Sequence, residues 1–153
     1  CLETAFYWEK QNKPAVFALG SDGIRQIAVG ASALTDASTA FSILSGGPKR
    51  HGTERTVHAM TDGVTGDNYV VILKSLAMDP PKFSFTYDEL LTRIRLQVPV
   101  DTPQGQQISR SLVQMEELVS ERLPNDRVLA WDEEKQVLDL VDPYFLFYLR
   151  WRV

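Results

Sequence analysis

The chain has 153 residues, 44% hydrophobic and 24% charged, enough for one ordinary domain or a small domain with an appended segment. It holds no run near the roughly 20 apolar residues that span a membrane. The formal charge of −4 is uneven: residues 1–66 carry 6 basic and 6 acidic groups, while residues 67–153 carry 10 and 14, an acidity that disfavours phosphate backbones as partners.

CLETAFYWEK lacks a basic region followed by an apolar run, so no secretion signal is read and a cytoplasmic location is expected. Cys1 is the only cysteine, which excludes an internal disulfide framework, and with only His51 and His58 beside it no metal site is expected. AFYWEKQNKPAVFAL suggests a short strand ending at Leu19, and SDGIRQIAVGASAL and TDASTAFSIL suggest two short helices. GGPKRHGTE is a turn or loop in which Lys49, Arg50 and His51 form a small basic cluster. ERTVHAMTDG reads as one more helix, terminated by Gly63 and Gly66. Residues 1–66 together are expected to be a partial helical, lid-like or linker segment.

The C-terminal half carries sharper signals. DNYVVILKSLA puts Tyr69, Ile72, Leu73, Leu76 and Ala77 on one helical stripe, with Asp67 or Asn68 as cap and Pro80 and Pro81 as the stop. In FSFTYDELLTRIR, Thr86 and Glu89 have capping-box spacing, flanked by Phe85 and Leu90 as a hydrophobic staple. A third helix begins near Gln106, with Ile108, Leu112, Met115 and Leu118 or Val119 at helical spacing. VLAW and QVLDLV, separated by DEEK, read as a hairpin over 128–141. Asp142 before Pro143 then caps a last helix, DPYFLFYLRW. Its six consecutive bulky groups exceed one face of three turns, so Leu146 and Phe147 are expected to point away from the core. Tyr144, Phe145, Leu146, Phe147, Tyr148 and Trp151 thereby become candidate interface residues of a docking helix.

Three helices and a hairpin in this order predict a mainly α fold with a small β-hairpin: a winged helix-turn-helix over 67–141, within a domain spanning 67–153. The third helix would be its recognition helix, offering Gln106, Gln107, Ser109, Arg110, Ser111 and Gln114 as DNA-contacting candidates. Against that use stand Glu116, Glu117 and Glu121 on the same helix, and Asp132, Glu133 and Glu134 at the wing tip. Protein contacts, or packing against the chain's own upstream domain, suit such a surface better. The adjacent carboxylates Asp88 and Glu89, or Glu116 and Glu117, point about 100° apart on a helix and cannot converge on one substrate atom. No catalytic residues are assigned.

NYVVILKSLA, FTYDELLTRI, ISRSLVQMEELVSERL and a hairpin leading into DPYFLFYLRW resemble the C-terminal winged helix of AAA+/STAND-like P-loop ATPases of archaea and bacteria. The resemblance covers about residues 67–151. It implies a lid motif of the Gly-x-Pro type that contacts nucleotide, which Gly46, Gly47 and Pro48 would supply. It also implies ATP as cofactor of a parent protein, since this chain has no G-x-x-x-x-G-K-[ST] loop. The missing initiator methionine and the apolar ending fit a portion of such a protein. The expected role is coupling of nucleotide state to a protein partner or DNA by joint motion of lid and winged helix. The alternatives are a winged-helix transcription regulator and a small enzyme using GGPKRH for a phosphorylated ligand.

Overall fold

The computed structural model describes residues 20–32, 37–49, 52 and 54–153. The expected strand ending at Leu19, and Cys1, Arg50 and His51, lie outside the described residues. The fold is mainly α with two small antiparallel sheets. Helices α1 (Ser21–Ser32) and α2 (Ala37–Gly46) come first, followed by a two-stranded hairpin, β1 (His58–Ala59) and β2 (Thr65–Gly66). Then follow α3 (Asn68–Ala77), β3 (Ser84–Thr86), α4 (Tyr87–Gln97), α5 (Gly105–Arg122), β4 (Leu129–Asp132), β5 (Val137–Leu140) and α6 (Pro143–Arg152). None of the described helices is by itself long and apolar enough to cross a membrane.

The local signals set the helix starts. The Asp67 carboxylate accepts from Tyr69 N at 3.1 Å and Val70 N at 3.3 Å, using backbone donors that have no partner inside α3. At α4 the capping box closes both ways: Glu89 N donates to Thr86 Oγ1 at 3.3 Å, and Thr86 N donates to Glu89 Oε2 at 3.0 Å. Phe85 and Leu90, on either side of that cap, are both fully buried. Asp142 caps α6 by accepting from Tyr144 N, with Pro143 in the first turn.

Two elements differ from what the sequence predicts. ERTVHAMTDG is not a helix: it enters β1 and turns over Asp62 and Gly63 into β2, pairing His58 with Gly66 and Ala59 with Thr65. The Asp62 carboxylate accepts from Val64 N, Gly63 has φ +81°, and Lys74 of α3 pairs with Asp62 at 2.5 Å. The glycine thus makes a hairpin turn instead of stopping a helix. The second difference is β3, which precedes α4 and pairs with β5 from Ser84↔Asp139 to Thr86↔Val137. The predicted hairpin, β4 against β5, is therefore part of a three-stranded sheet ordered β3, β5, β4.

Helix α3 is the hub. Val71, Ile72, Leu73 and Leu76 are all fully buried, because α2, α4, α5 and α6 pack around it. A helix enclosed on several sides needs apolar residues on more than one face, so Val71 joins the predicted stripe. Its exit is held by Arg93 of α4, which donates to the carbonyls of Ser75, Met78 and Pro80 and stacks over the Phe85 ring. Burial draws the Arg93 pKa down from its usual value, partly opposed by Glu89 and Asp79.

The last helix does not stand free. It packs on α3 and β5 and also on α1 and α2, with the Phe41 and Tyr148 rings 5.7 Å apart. Phe145 and Leu149 are fully enclosed, and Leu146 is 4% exposed. The expectation that Leu146 faces away from the core is corrected: the N-terminal helices occupy the side of α6 that the sequence left unassigned. Phe147 is half-buried against Trp151, and Tyr144 is the exposed aromatic of the helix.

Candidate functional site

The turn after α2, the first turn of α3 and the N-terminal half of α5 enclose a cleft of about 400 Å³. Pro48 and Lys49 form one wall, Gln107, Arg110, Ser111 and Gln114 the opposite wall, and Arg55, Asp67, Asn68 and Tyr69 lie between them. Pro48 of the glycine turn and four of the six DNA-contacting candidates, Gln107, Arg110, Ser111 and Gln114, which stand apart in the sequence, thus line one cavity.

Arg55 organises the floor. Its guanidinium donates to Gly46 O at 2.8 Å, Pro48 O at 2.6 Å and Asp67 Oδ2 at 2.6 Å, and lies 4.6 Å from the centre of the Tyr69 ring. One side chain therefore fastens the glycine turn to the residue that caps α3. Asp67 has both its oxygens in use, one on the helix start and one on Arg55. Gly47 is buried at φ +61°, and a Cβ there would come 2.7 Å from the Arg55 nitrogens and 2.8 Å from the Tyr69 ring. This position requires glycine for its backbone and for the space. Gly46 ends α2, and a methyl group added there would meet nothing within 4 Å. Gly47→Ala is expected to cost about 2 kcal/mol or more, while Gly46→Ala should be neutral to slightly stabilising. Thermal melts of the two variants check this contrast, and equal melting temperatures would refute the role given to Gly47.

Tyr69 is buried and its hydroxyl donates to Gln114 Oε1, with Ser111 alongside. Burial raises its pKa, with the Arg55 charge acting in the opposite direction. Of the six DNA-contacting candidates, three are committed within the protein. Gln107 accepts from Gln104 N at the start of α5, Ser111 is buried with its hydroxyl on Gln107 O, and Gln114 holds Tyr69. Gln106 and Arg110 are exposed and Ser109 is half-buried. Helix α2 also packs against α5.

The cleft is better suited to binding charge than to catalysis. Arg55 and Asp67 neutralise each other, whereas Lys49, Arg110 and the carboxylate of Glu54, which also lines the cleft, are exposed and form no ion pair with a described residue. Both ring nitrogens of His58 are engaged within the protein: Nδ1 lies 2.9 Å from Asp101 O and Nε2 lies 3.1 Å from Asn68 Oδ1. Among the described residues, no group of three His, Cys, Asp or Glu side chains is placed to hold a metal ion. Arg55 has no signature in the sequence, because nothing in GTERTV shows which carbonyls a guanidinium will reach nine residues back. The chain was compared with protein-family models, with curated proteins and with solved structures, and none of them matches.

Proposed function

We propose that residues 67–141 form a winged helix and that the chain is the non-catalytic lid and winged-helix portion of an AAA+/STAND-like ATPase, coupling nucleotide state to a protein partner. The observation that carries this reading is the Arg55 junction, which ties the Gly46–Gly47–Pro48 turn to the cap of α3. A turn that touched nucleotide would then move as one body with everything packed on α3, which is the coupling such a module needs. The element order from α3 to β5, with a first strand pairing beside a hairpin in the order β3, β5, β4, supports the winged-helix assignment. Lys49 and Arg110, in the cleft beside that turn, suit phosphate oxygens, with Glu54 in the same lining opposing them.

The DNA-binding reading has Gln106, Ser109 and Arg110 in its favour. It is opposed by the internal use of Gln107, Ser111 and Gln114 and by an acidic wing tip facing where phosphates would run. The reading frame on the N-terminal side of Cys1 tests the proposal. A G-x-x-x-x-G-K-[ST] loop within a few hundred residues supports it, and absence of one removes it. Mobility of duplex DNA with this chain at low salt separates the alternative: a shift weakened by Arg110→Ala would favour the regulator.

A further inference from the structure

Helix α1 is joined to the molecule unlike the other described helices, each of which sends residues into the core around α3. Of its 12 residues only Ala28 and Ser32 are buried, both are small, and neither belongs to that core. Ile24 is 51% exposed, and Asp22 and Arg25 form no ion pair with a described residue. A helix of this length is marginal on its own, and a glycine inside it, Gly30, weakens it further. What holds α1 is its packing, which is chiefly against α6.

On α6 the core takes Phe145, Leu146 and Leu149, with Tyr148 against it and beside Phe41 of α2. Phe147 and Trp151 stand two residues on from Phe145 and Leu149, a rotation of about 200°, and so face the other side of the helix. They lie outside the core and yet are half-buried, with ring centres 6.3 Å apart. A helix that packs on α6 without entering the core meets it on this side. Ala28 and Ser32, four residues apart, stand one above the other on α1, and side chains this small let its backbone approach two aromatic rings.

We infer that α1 is a releasable strap over the Phe147 and Trp151 face of α6, opening and reclosing while the core around α3 stays folded. Closing it fully buries only one methyl and one hydroxymethyl group of its own, and the Ser32 hydroxyl is turned back to Val29 O at 2.8 Å, so little apolar area opposes release. Release bares the two rings beside Tyr144, which stands three residues before Phe147 on the same side and is 66% exposed already. The three aromatics then form one row along the helix. In the closed state the occupant of that row is α1 itself, so the strap controls access to it. The device needs no nucleotide and operates whether or not an ATPase core precedes this chain.

The test is amide hydrogen exchange of the whole chain, read by mass spectrometry. Protection of the α1 amides is expected to lie on the order of a hundredfold or more below that of α3. Gly30→Ala, whose added methyl group would meet nothing within 4 Å, should raise the protection of α1 about fourfold and leave that of α3 unchanged. Ala28→Glu should remove the protection of α1 while α3 keeps its own. In that variant hydroxyl-radical footprinting should label Phe147 and Trp151 several-fold more strongly, with the buried Trp131 as the unchanged internal reference. Equal protection of α1 and α3, a Gly30→Ala effect that is shared by both or absent, loss of the whole fold in Ala28→Glu, or unaltered labelling of Trp151 once α1 is free would each overturn the inference.

Discussion

Leu146→Asp is expected to abolish the cooperative folding of the chain, whereas Tyr144→Asp, two residues earlier on the same helix, should change stability by no more than about 0.5 kcal/mol. Leu146 is 4% exposed in the apolar interior formed by α6 with its neighbours, and Tyr144 is 66% exposed. A carboxylate at position 146 enters that interior without a partner, and the cost of an unpaired buried charge reaches the size of a domain's whole stability, about 5–15 kcal/mol. Leu146→Ala gives the graded version, expected at about 2–5 kcal/mol from lost transfer energy and the cavity left behind. Circular dichroism melts and denaturant titrations of the three variants decide the matter. If Leu146→Asp melts within a few degrees of the parent chain, α6 is a free docking helix after all and its contacts with α1 and α2 carry no weight.

The same helix shows where the sequence is informative and where it is not. Asp142 before Pro143 locates its start to the residue, because a cap and a first-turn proline are local instructions. The apolar sequence that follows correctly implies more than one buried face. What it cannot say is what covers the second face, since α1 and α2 lie about 100 residues away in the chain and their small residues carry no address. Phe145 and Leu146, two of the six residues expected to meet a partner or a further part of the protein's own chain, are covered by the elements described here.

Thr86, Glu89, Phe85 and Leu90 are a second legible set, with all four roles fulfilled within a short stretch. The strand that Phe85 belongs to is not legible. Ser84, Phe85 and Thr86 give a single alternation of exposed, buried and exposed, too short for a period of two to stand out, and the partner strand begins some 50 residues later. In ERTVHAMTDG the turn signal itself is ambiguous. Asp62 and Gly63 mark a turn whether a helix or a strand precedes them, and the pairing of His58 with Gly66 is what selects the strand. The cleft is half visible: both its walls stand out in the sequence, but the residue that joins them does not.

That residue gives the second large effect. Arg55→Ala is expected to destabilise the chain by about 2–4 kcal/mol, because it removes three charge-assisted hydrogen bonds and leaves the carbonyls of Gly46 and Pro48 and the Asp67 carboxylate without their donor. For a chain of this size that corresponds to a melting temperature lower by roughly 5–15 °C. Asp67→Asn should cost less, since asparagine also caps helices and keeps an acceptor for Tyr69 N and Val70 N. Together the two changes should cost less than the sum of their separate effects, with a coupling of about 1–3 kcal/mol, because each single change already breaks the shared pair at 2.6 Å. The distinguishing readout is local. Amide exchange at Gly47 should accelerate in Arg55→Ala while the amides of α4 and β5 keep their protection relative to global stability. If Arg55→Ala stays within about 0.5 kcal/mol of the parent, in the range of ordinary surface substitutions, the turn is held by something else. The proposed joint movement of the Gly46–Gly47–Pro48 turn with the elements packed on α3 then loses its mechanical basis.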